Sequence, residues 1–277
     1  MGLFEILILA AIQGLTEFLP VSSSGHTVLA KTLLNLKTPG AVWEVALHLG
    51  TLLAVFIVFW GEIFRVANGF VAGLKELSGK KGWRDVYREN EPFRLGWYVI
   101  FGTIPVVVAG LTLRTYIEGM FSNGILAMIM VFITGEILWL TRIYSRYRPE
   151  GDIRFSDALI MGVAQAFALV PGISRSGSTI ALGMMRGVER NRAATFSFLL
   201  VIPATLGAAI VESRHVMTMS ADDLPFMAVG VLASALVGYA ALRVLLQIVR
   251  RGKLHWFAYY CWAVAMAGAA LCWAKVY

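Results

Sequence analysis

Long runs of apolar residues alternate with short polar or charged stretches along most of this chain. A helix of about 20 apolar residues is long enough to cross the hydrocarbon core of a bilayer. The pattern predicts six membrane-spanning helices, at 41–62, 95–114, 122–142, 192–213, 224–246 and 255–276.

Two further apolar segments are shorter and interrupted. Residues 2–36 and 156–186 each contain two short apolar stretches on either side of a turn rich in Pro, Ser and Gly. Such broken halves are typical of re-entrant hairpins. The sequence therefore predicts an all-α polytopic membrane protein, with six transmembrane helices and two re-entrant helical hairpins. We expect one integral membrane domain over 1–277, with a solvated cytoplasmic loop near 63–94.

The two predicted hairpins carry related sequences. The segment QGLTEFLPVSSSGHT, residues 13–27, returns 152 positions later as QAFALVPGISRSGST, residues 165–179. Without a gap, the identical pairs are Gln13 and Gln165, Ser22 and Ser174, Ser24 and Ser176, Gly25 and Gly177, and Thr27 and Thr179. The differences are also informative, because only the first copy has Glu17 and His26, and only the second has Arg175. A duplicated segment has divided its chemical groups between two copies.

Composition and charge place these elements in a membrane. The chain is 58% hydrophobic and 15% charged, which excludes an ordinary soluble domain. A net charge of +7 in such a protein indicates basic cytoplasmic loops rather than a nucleic-acid partner. If 63–94 is cytoplasmic, the loops on that side hold 18 of the 24 Lys and Arg residues, and both termini are periplasmic. Three crossings then separate the hairpins, so the repeats are inverted and their tips meet near the membrane midplane.

Arg175 is the strongest single chemical signal. A guanidinium near the bilayer centre costs at least ~2.5–3.5 kcal/mol, so it needs a partner anion or a wet cavity. The alternative to a ligand is a structural ion pair with Glu17, Glu44 or Glu136. Arginine also grips phosphate oxygens with two parallel hydrogen bonds. Because hydroxyls and backbone N–H groups at helix starts bind anions, the predicted phosphate-binding residues are Arg175, Ser174, Ser176, Thr179, Ser24, Gly25 and Gly177. For the two glycines, a plain packing role is an equal alternative.

The first repeat supplies the other catalytic candidates. His26 is predicted to transfer a proton or to act as a nucleophile, with Ser23 beside it. Glu17 can orient or deprotonate an imidazole, and it shares a helix face with Gln13, so this pair is also predicted to hold a divalent cation, Mg²⁺ or Ca²⁺. The remaining histidines have no such neighbours in the sequence: His48, His215 and His255. Together these groups suit phosphoryl transfer or hydrolysis, on a substrate that arrives through the lipid.

The segments QGLTEFLPVSSSGH and PGISRSGST resemble the two signature motifs of the undecaprenyl-diphosphate phosphatase family, also called the bacitracin-resistance proteins. The resemblance covers the whole chain in length and hydropathy. It implies hydrolysis of undecaprenyl diphosphate to the monophosphate, which recycles the carrier lipid for cell-wall synthesis. It also implies a bacterial inner-membrane location, a divalent cation and resistance to bacitracin on overproduction. By motif position it implies active-site roles for Glu17, Ser23, His26, Ser174, Arg175 and Thr179, and it leaves the nucleophile open between His26 and Ser23.

Two alternatives remain beside this family. Inverted repeats with half-helix tips are also the architecture of secondary transporters, so a transporter or flippase for a phosphorylated lipid or solute is the first. The second is the other membrane lipid-phosphatase superfamily, whose leading Lys-to-Arg-Pro motif this chain lacks. The expected partners are the polyprenyl diphosphate substrate and membrane lipids, with a homodimer as one assembly considered and no nucleic acid.

Overall fold

A computed structural model describes residues 3–34, 40–79, 82–144, 151–216 and 223–276. Within these ranges the chain forms twelve α-helices and no strand, apart from an isolated parallel bridge between Gly151 and Val188. The helices are α1 Leu3–Phe18, α2 Ser23–Leu34, α3 Gly40–Leu77, α4 Trp83–Glu89, α5 Glu91–Thr112, α6 Arg114–Met120, α7 Gly124–Tyr144, α8 Phe155–Phe167, α9 Arg175–Met185, α10 Arg190–Val216, α11 Leu224–Arg250 and α12 Trp256–Val276. The predicted all-α class is confirmed for the described chain.

Six of these helices are long and apolar enough to cross a membrane. Their candidate spans are Val42–Leu77, Glu91–Thr112, Gly124–Tyr144, Arg190–Val211, Leu224–Arg250 and Trp256–Ala274. Large apolar side chains on them remain uncovered, such as Ile210 and Leu236, which are each 73% exposed. Exposing so much apolar surface to water would be unfavourable, whereas exposing it to lipid is not. The chain is a multi-pass membrane protein, as predicted.

The region predicted as a loop, 63–94, is largely helical where the structure describes it. Helix α3 continues through Glu62 to Leu77, and α4 and the start of α5 occupy most of the rest. Hydropathy falls after residue 62 because Arg65, Asn68, Lys75 and Glu76 are spaced among the apolar residues. One side of this helix extension packs on α5, where the ring of Phe70 lies 5.5 Å from that of Phe93 and 5.4 Å from that of Trp97. The charged residues on its other faces do not interrupt a helix that is packed along one side.

The two broken segments lie where the repeats predict them, as α1 with α2 and α8 with α9. Each second half-helix begins with a serine cap. The Ser22 Oγ accepts a hydrogen bond from the Gly25 N–H, and the Ser174 Oγ accepts one from the Gly177 N–H, each at 3.1 Å. These serines occupy equivalent positions, so the duplicated sequence produces the same local structure twice.

Each hairpin packs on a long helix from the opposite half of the chain: α1 lies along α11, and α8 lies along α5. Glycines allow both contacts. A Cβ on Gly14 would lie 2.9 Å from the Gly238 nitrogen, and one on Gly162 would lie 2.1 Å from the Gly102 oxygen. Small residues at helix contacts let two backbones approach closely in membranes. The hairpins are thereby fixed inside the bundle.

Candidate active site

The turns of the two hairpins touch each other. The Gly172 N–H donates to the Ser24 Oγ at 3.2 Å. A Cβ on Gly177 would lie 3.1 Å from the Pro20 Cβ, and one on Gly25 would lie 3.3 Å from the Gly172 Cα. Gly25 and Gly177 therefore allow the turns to pack closely. Neither glycine lines the cavity described below, so the geometry supports their packing role over direct phosphate contact.

An ion pair joins the hairpins at this junction. The Arg175 Nη2, at the first residue of α9, donates to the Glu17 Oε1 near the end of α1. The two side chains are only 17% and 9% exposed. The structural pair with Glu17 is therefore formed, but it uses only part of the guanidinium. The Arg175 Nη1 is buried and has no hydrogen-bond partner among the described residues, so a donor remains for a ligand.

Three more polar groups converge on the same carboxylate. The Ser23 hydroxyl donates to the Glu17 Oε2 at 2.7 Å, and the Gln13 Nε2 donates to it at 2.9 Å. The His48 Nε2 lies 3.4 Å from this oxygen. The Glu17 carboxylate is thus oriented from several sides, with a hydroxyl at proton-transfer distance.

The sequence did not predict a role for His48, because no catalytic candidate lies near it along the chain. Helix α3 brings it to Glu17 from outside both motifs. Its Nδ1 lies 2.7 Å from the Glu44 carbonyl oxygen, which can only accept, so Nδ1 carries a proton and Nε2 faces the carboxylate. A sequence signal existed, because Glu44 and His48 are four residues apart on one face of an apolar crossing helix.

A cavity of about 640 Å³ opens at this junction. Its polar end is lined by residues of both hairpins and of α3: Gln13, Glu17, Ser22, Ser23, Ser24, His48, Gln165, Ser174 and Arg175. An apolar arm between α5 and α10 is lined by Val106, Val107, Leu111, Ala204, Gly207, Ala208 and Val211. The Gln165 Oε1, in a side chain that is 2% exposed, has no partner among the described residues. One end of the cavity is therefore polar and the other is apolar, which suits an amphiphilic ligand.

His26 lies outside this cavity. Its Nδ1 is 2.8 Å from the Ser22 carbonyl oxygen, and its Nε2 is 2.9 Å from the Tyr260 hydroxyl. The first turn of α2 directs Ser23 towards Glu17 and His26 towards α12. The expected grouping of His26 with Glu17 and Arg175 is therefore not what this arrangement provides, and both ring nitrogens already have partners.

Ser176 and Thr179 also lie behind the cavity wall. The Thr179 Oγ1 is fully buried, 2.8 Å from the Arg175 carbonyl oxygen and 2.6 Å from the Ser197 hydroxyl. The Ser176 Oγ lies 3.4 Å from the Ser174 Oγ, and neither Ser176 nor Thr179 lines the cavity. The contact between Thr179 and Ser197 joins α9 to α10, and the burial of Ser176 and Thr179 behind the cavity wall argues against direct phosphate contact by either side chain.

The predicted metal ligands, Glu17 and Gln13, both line the cavity, but the Gln13 side chain presents its Nε2 donor, not its oxygen, to the Glu17 carboxylate. A guanidinium also occupies one oxygen of Glu17, and its charge repels a cation. Among the described residues, no group of three or more His, Cys, Asp or Glu is placed to hold a metal ion. As arranged, Glu17 and Gln13 do not fit a divalent cation.

Comparisons with known proteins identify the family of this chain. A family model described as "Bacitracin resistance protein BacA" matches residues 6–267. A protein named undecaprenyl-diphosphatase from Desulforapulum autotrophicum is 40% identical over 270 residues, covering 96% of this chain and 97% of the relative. One with the same name from Desulfatibacillum aliphaticivorans is 41% identical over 265 residues, covering 94% and 95%. A third, from Methanosphaera stadtmanae, is 38% identical over 264 residues, with the same coverage. With motifs, helices and relatives in agreement along its length, the chain belongs to the bacitracin resistance protein BacA family.

Proposed function

We propose that this protein hydrolyses undecaprenyl diphosphate to undecaprenyl phosphate and inorganic phosphate. One observation carries the proposal: a serine hydroxyl and an arginine contact one buried carboxylate at the polar end of a cavity with an apolar arm. The name shared by the relatives, undecaprenyl-diphosphatase, supports the same reaction. The product would return the carrier lipid to cell-wall synthesis.

The substrate's polarity matches that of the cavity. The diphosphate would lie at the polar end, where the free Arg175 Nη1 donates to its oxygens, as arginine commonly does to phosphate. Ser23 and Arg175 are the first residues of α2 and α9, and helix N-termini favour anions. The isoprenoid chain would extend along the apolar arm between α5 and α10.

Ser23 is the attacking group that this geometry favours. Glu17 would accept the hydroxyl proton as the Ser23 oxygen bonds to the terminal phosphorus and the bond to the bridging oxygen breaks. The proton would then pass to the departing lipid phosphate. In the second step Glu17 would accept a proton from water as the water oxygen bonds to the phosphorus of the phosphoserine. The bond between that phosphorus and the Ser23 oxygen breaks, inorganic phosphate leaves, and the proton passes from Glu17 to the Ser23 oxygen, which restores both residues. Arg175 would neutralise charge on the phosphoryl oxygens in both steps.

The other candidate activities gain less support. His26 as the nucleophile would have to leave two hydrogen-bonding partners and enter the cavity. A transporter or flippase needs only to bind its cargo, so it gives no reason for a hydroxyl held 2.7 Å from a carboxylate oxygen. Phosphate release separates the two classes, because a transporter releases none.

The divalent cation remains a prediction from the family resemblance. Since Glu17 and Gln13 as placed do not fit it, no step of this mechanism depends on a cation. Magnesium in enzymes is often held largely by substrate phosphates, and dialysis against EDTA followed by an assay with added Mg²⁺ or Ca²⁺ would test the requirement.

We also propose that the hairpins are re-entrant and form an inverted repeat. The exchange of packing partners, α1 with α11 and α8 with α5, supports this arrangement. So does a matched pair of contacts: the Thr134 hydroxyl of α7 donates to the Gly172 carbonyl at 2.9 Å, and the Cys261 thiol of α12 donates to the Pro20 carbonyl at 3.6 Å. Gly172 follows Pro20 by the repeat offset of 152.

The charge distribution supports an orientation in the membrane, and the family resemblance supports the choice of membrane. We propose a bacterial inner membrane, basic connecting segments in the cytoplasm and both termini in the periplasm. A homodimer remains a prediction. Cysteines introduced one at a time at 82 and 123, with the buried native Cys261 and Cys272 as the background, would test the orientation by labelling with an impermeant maleimide on intact cells, because the proposal puts only position 123 outside.

The function is tested by phosphate release from undecaprenyl diphosphate in detergent. Wild-type protein should release phosphate, the Ser23→Ala variant should not, and Ser122→Ala, in an exposed turn outside the cavity, should match wild type. Brief reaction with substrate labelled at the terminal phosphate should trap an acid-stable phosphoserine. An acid-labile adduct would instead indicate His26. Absence of phosphate release by folded wild-type protein would refute the proposed function.

A further inference from the structure

Tyr260 lies on α12, outside the cavity, and contacts the first hairpin through His26. Its hydroxyl is 2.9 Å from the His26 Nε2, and the two ring planes are within 7° of parallel. Tyr260 is 47% exposed on the outer side of the bundle. Neither the motifs nor the proposed chemistry gives this residue a role.

The hydrogen bonds of His26 fix its protonation pattern. The Ser22 carbonyl can only accept, so the His26 Nδ1 at 2.8 Å must donate to it. In the neutral ring, Nε2 then has the free lone pair and accepts the Tyr260 O–H. The Tyr260 hydroxyl therefore favours the tautomer in which His26 bonds to Ser22.

Ser22 has an unusual backbone conformation that needs such support. Its φ is 71°, and it is the one non-glycine residue with a positive φ among those described. Conformations of this kind persist where surrounding contacts hold them. The next residue is Ser23, whose hydroxyl lies 2.7 Å from the Glu17 Oε2. A small rotation at Ser22 would thus move the proposed nucleophile.

Helix α12 contacts this turn a second time through the neighbouring residue, since the Cys261 thiol donates to the Pro20 carbonyl. The second hairpin has the equivalent contact from α7 but has Ser178 where the first has His26. An imidazole bridge is therefore specific to the hairpin that carries Ser23.

We propose that Tyr260 is a positioning residue for hydrolysis, acting through His26 on the turn that places Ser23 against Glu17. This inference rests on the proposed function for its kinetic consequence, but the hydrogen-bonded bridge can be measured independently. It also gives His26 a role that involves no contact with substrate.

The kinetic test compares Tyr260→Phe with Tyr259→Phe. Tyr259 is the adjacent residue on α12, and its ring packs on Trp139, with centroids 5.5 Å apart, rather than on His26. Loss of the Tyr260 hydroxyl should lower kcat about tenfold, because misplacement of a reacting group costs rate, with KM for undecaprenyl diphosphate and the melting temperature unchanged. Tyr259→Phe should match wild type.

A ¹⁵N spectrum of the histidines tests the bridge without any turnover. The chain has four histidines, and comparison with His26→Gln identifies the His26 signals. Wild type should show a protonated Nδ1 and a hydrogen-bonded, unprotonated Nε2. The Nε2 signal should shift in Tyr260→Phe and stay unchanged in Tyr259→Phe.

An unshifted Nε2 signal in Tyr260→Phe would overturn the inference, as would a kcat within twofold of wild type. Equal kcat losses in both variants would also overturn it. Wild-type protein that shows the bridge but releases no phosphate would contradict the proposed function instead.

Discussion

Replacing Arg175 by Ala should remove most of the activity, and the size of the loss can be reasoned from its contacts. One donor to a transition-state oxygen is worth about 2.7–4 kcal/mol, or 10²–10³ in rate. Arginines that neutralise a transferring phosphoryl group contribute about 10³–10⁵. Since Arg175 offers one free donor and a nearby charge, we expect kcat/KM to fall at least ~10³-fold.

The same change affects stability, so the assay must be corrected for folding. Breaking a buried ion pair by removing one partner costs about 3–5 kcal/mol. Glu17 keeps its hydrogen bonds from Ser23 and Gln13 and the contact with His48, so we expect the lower end of that range. Melting temperature and a monodisperse profile on size-exclusion chromatography would establish how much protein is folded before phosphate release is compared.

Two further arginine variants make the result interpretable. Arg175→Lys retains the charge but has no fork to contact Glu17 and phosphate together, so it should remain about 10²-fold below wild type. Arg114→Ala is the matched control, because Arg114 also lines the cavity while its ion pair with Glu118 is exposed and worth at most ~1 kcal/mol. Folded Arg175→Ala protein with activity within tenfold of wild type would refute the reasoning.

Three other changes test separate parts of the structure. A Cβ on Gly207 would meet nothing within 4 Å in the apolar arm, so the side chain of Gly207→Leu would take up space meant for the isoprenoid chain. This variant should raise KM for undecaprenyl diphosphate about tenfold and change KM for farnesyl diphosphate little. Gly61→Leu, with equal space outside the cavity, is the control, and equal effects on the two substrates would contradict this assignment. His48→Ala removes a contact to Glu17 and should lower kcat about tenfold, measured by phosphate release. An unchanged kcat would show that His48 does not contribute to catalysis. Glu91 accepts from two arginines, on α3 and α10, at 2.9 and 3.1 Å, so Glu91→Gln should cost about 1 kcal/mol of stability and leave kcat intact. Thermal scans should show that loss shrinking as salt rises, and a salt-independent loss would argue against a charge effect.

Much of the fold could be predicted because a bilayer imposes a simple length rule. Each predicted crossing corresponds to a long helix, and the repeat located both broken helices and their matching caps at Ser22 and Ser174. The extension of α3 to Leu77 could not be predicted in this way, because hydropathy measures transfer into lipid. Residues 63–77 form helix by packing one side against the aromatic residues of α5, which is a tertiary effect.

The site was predictable only as far as the two motifs reach. Glu17 and Arg175 were expected near one buried point, with an ion pair to Glu17, Glu44 or Glu136 as the alternative to a ligand, and the structure forms the pair with Glu17. The position of His26 depends on the direction in which α2 turns its first residues, which is decided by contacts with α12 more than 230 positions away. His48 is separated from the motifs by a stretch of apolar helix, so only the three-dimensional packing brings it to the carboxylate.

Divergence between the two hairpins is as important to the proposed chemistry as their duplication. If the hairpins are inverted repeats, identical copies would bring like side chains to one buried point, and two carboxylates held close together cannot both be ionised. The chain has Leu169 where a second copy of Glu17 would stand, and Ser23 where a second copy of Arg175 would stand. One acid therefore meets one guanidinium, and their mutual neutralisation lets both remain charged although the two side chains are largely buried. The hydroxyl of Ser23 lies next to that carboxylate, and the Arg175 Nη1, which has no partner among the described residues, remains for phosphate. Divergence therefore places a nucleophile, a base and an anion site at a point where two identical repeats would have placed two copies of one group.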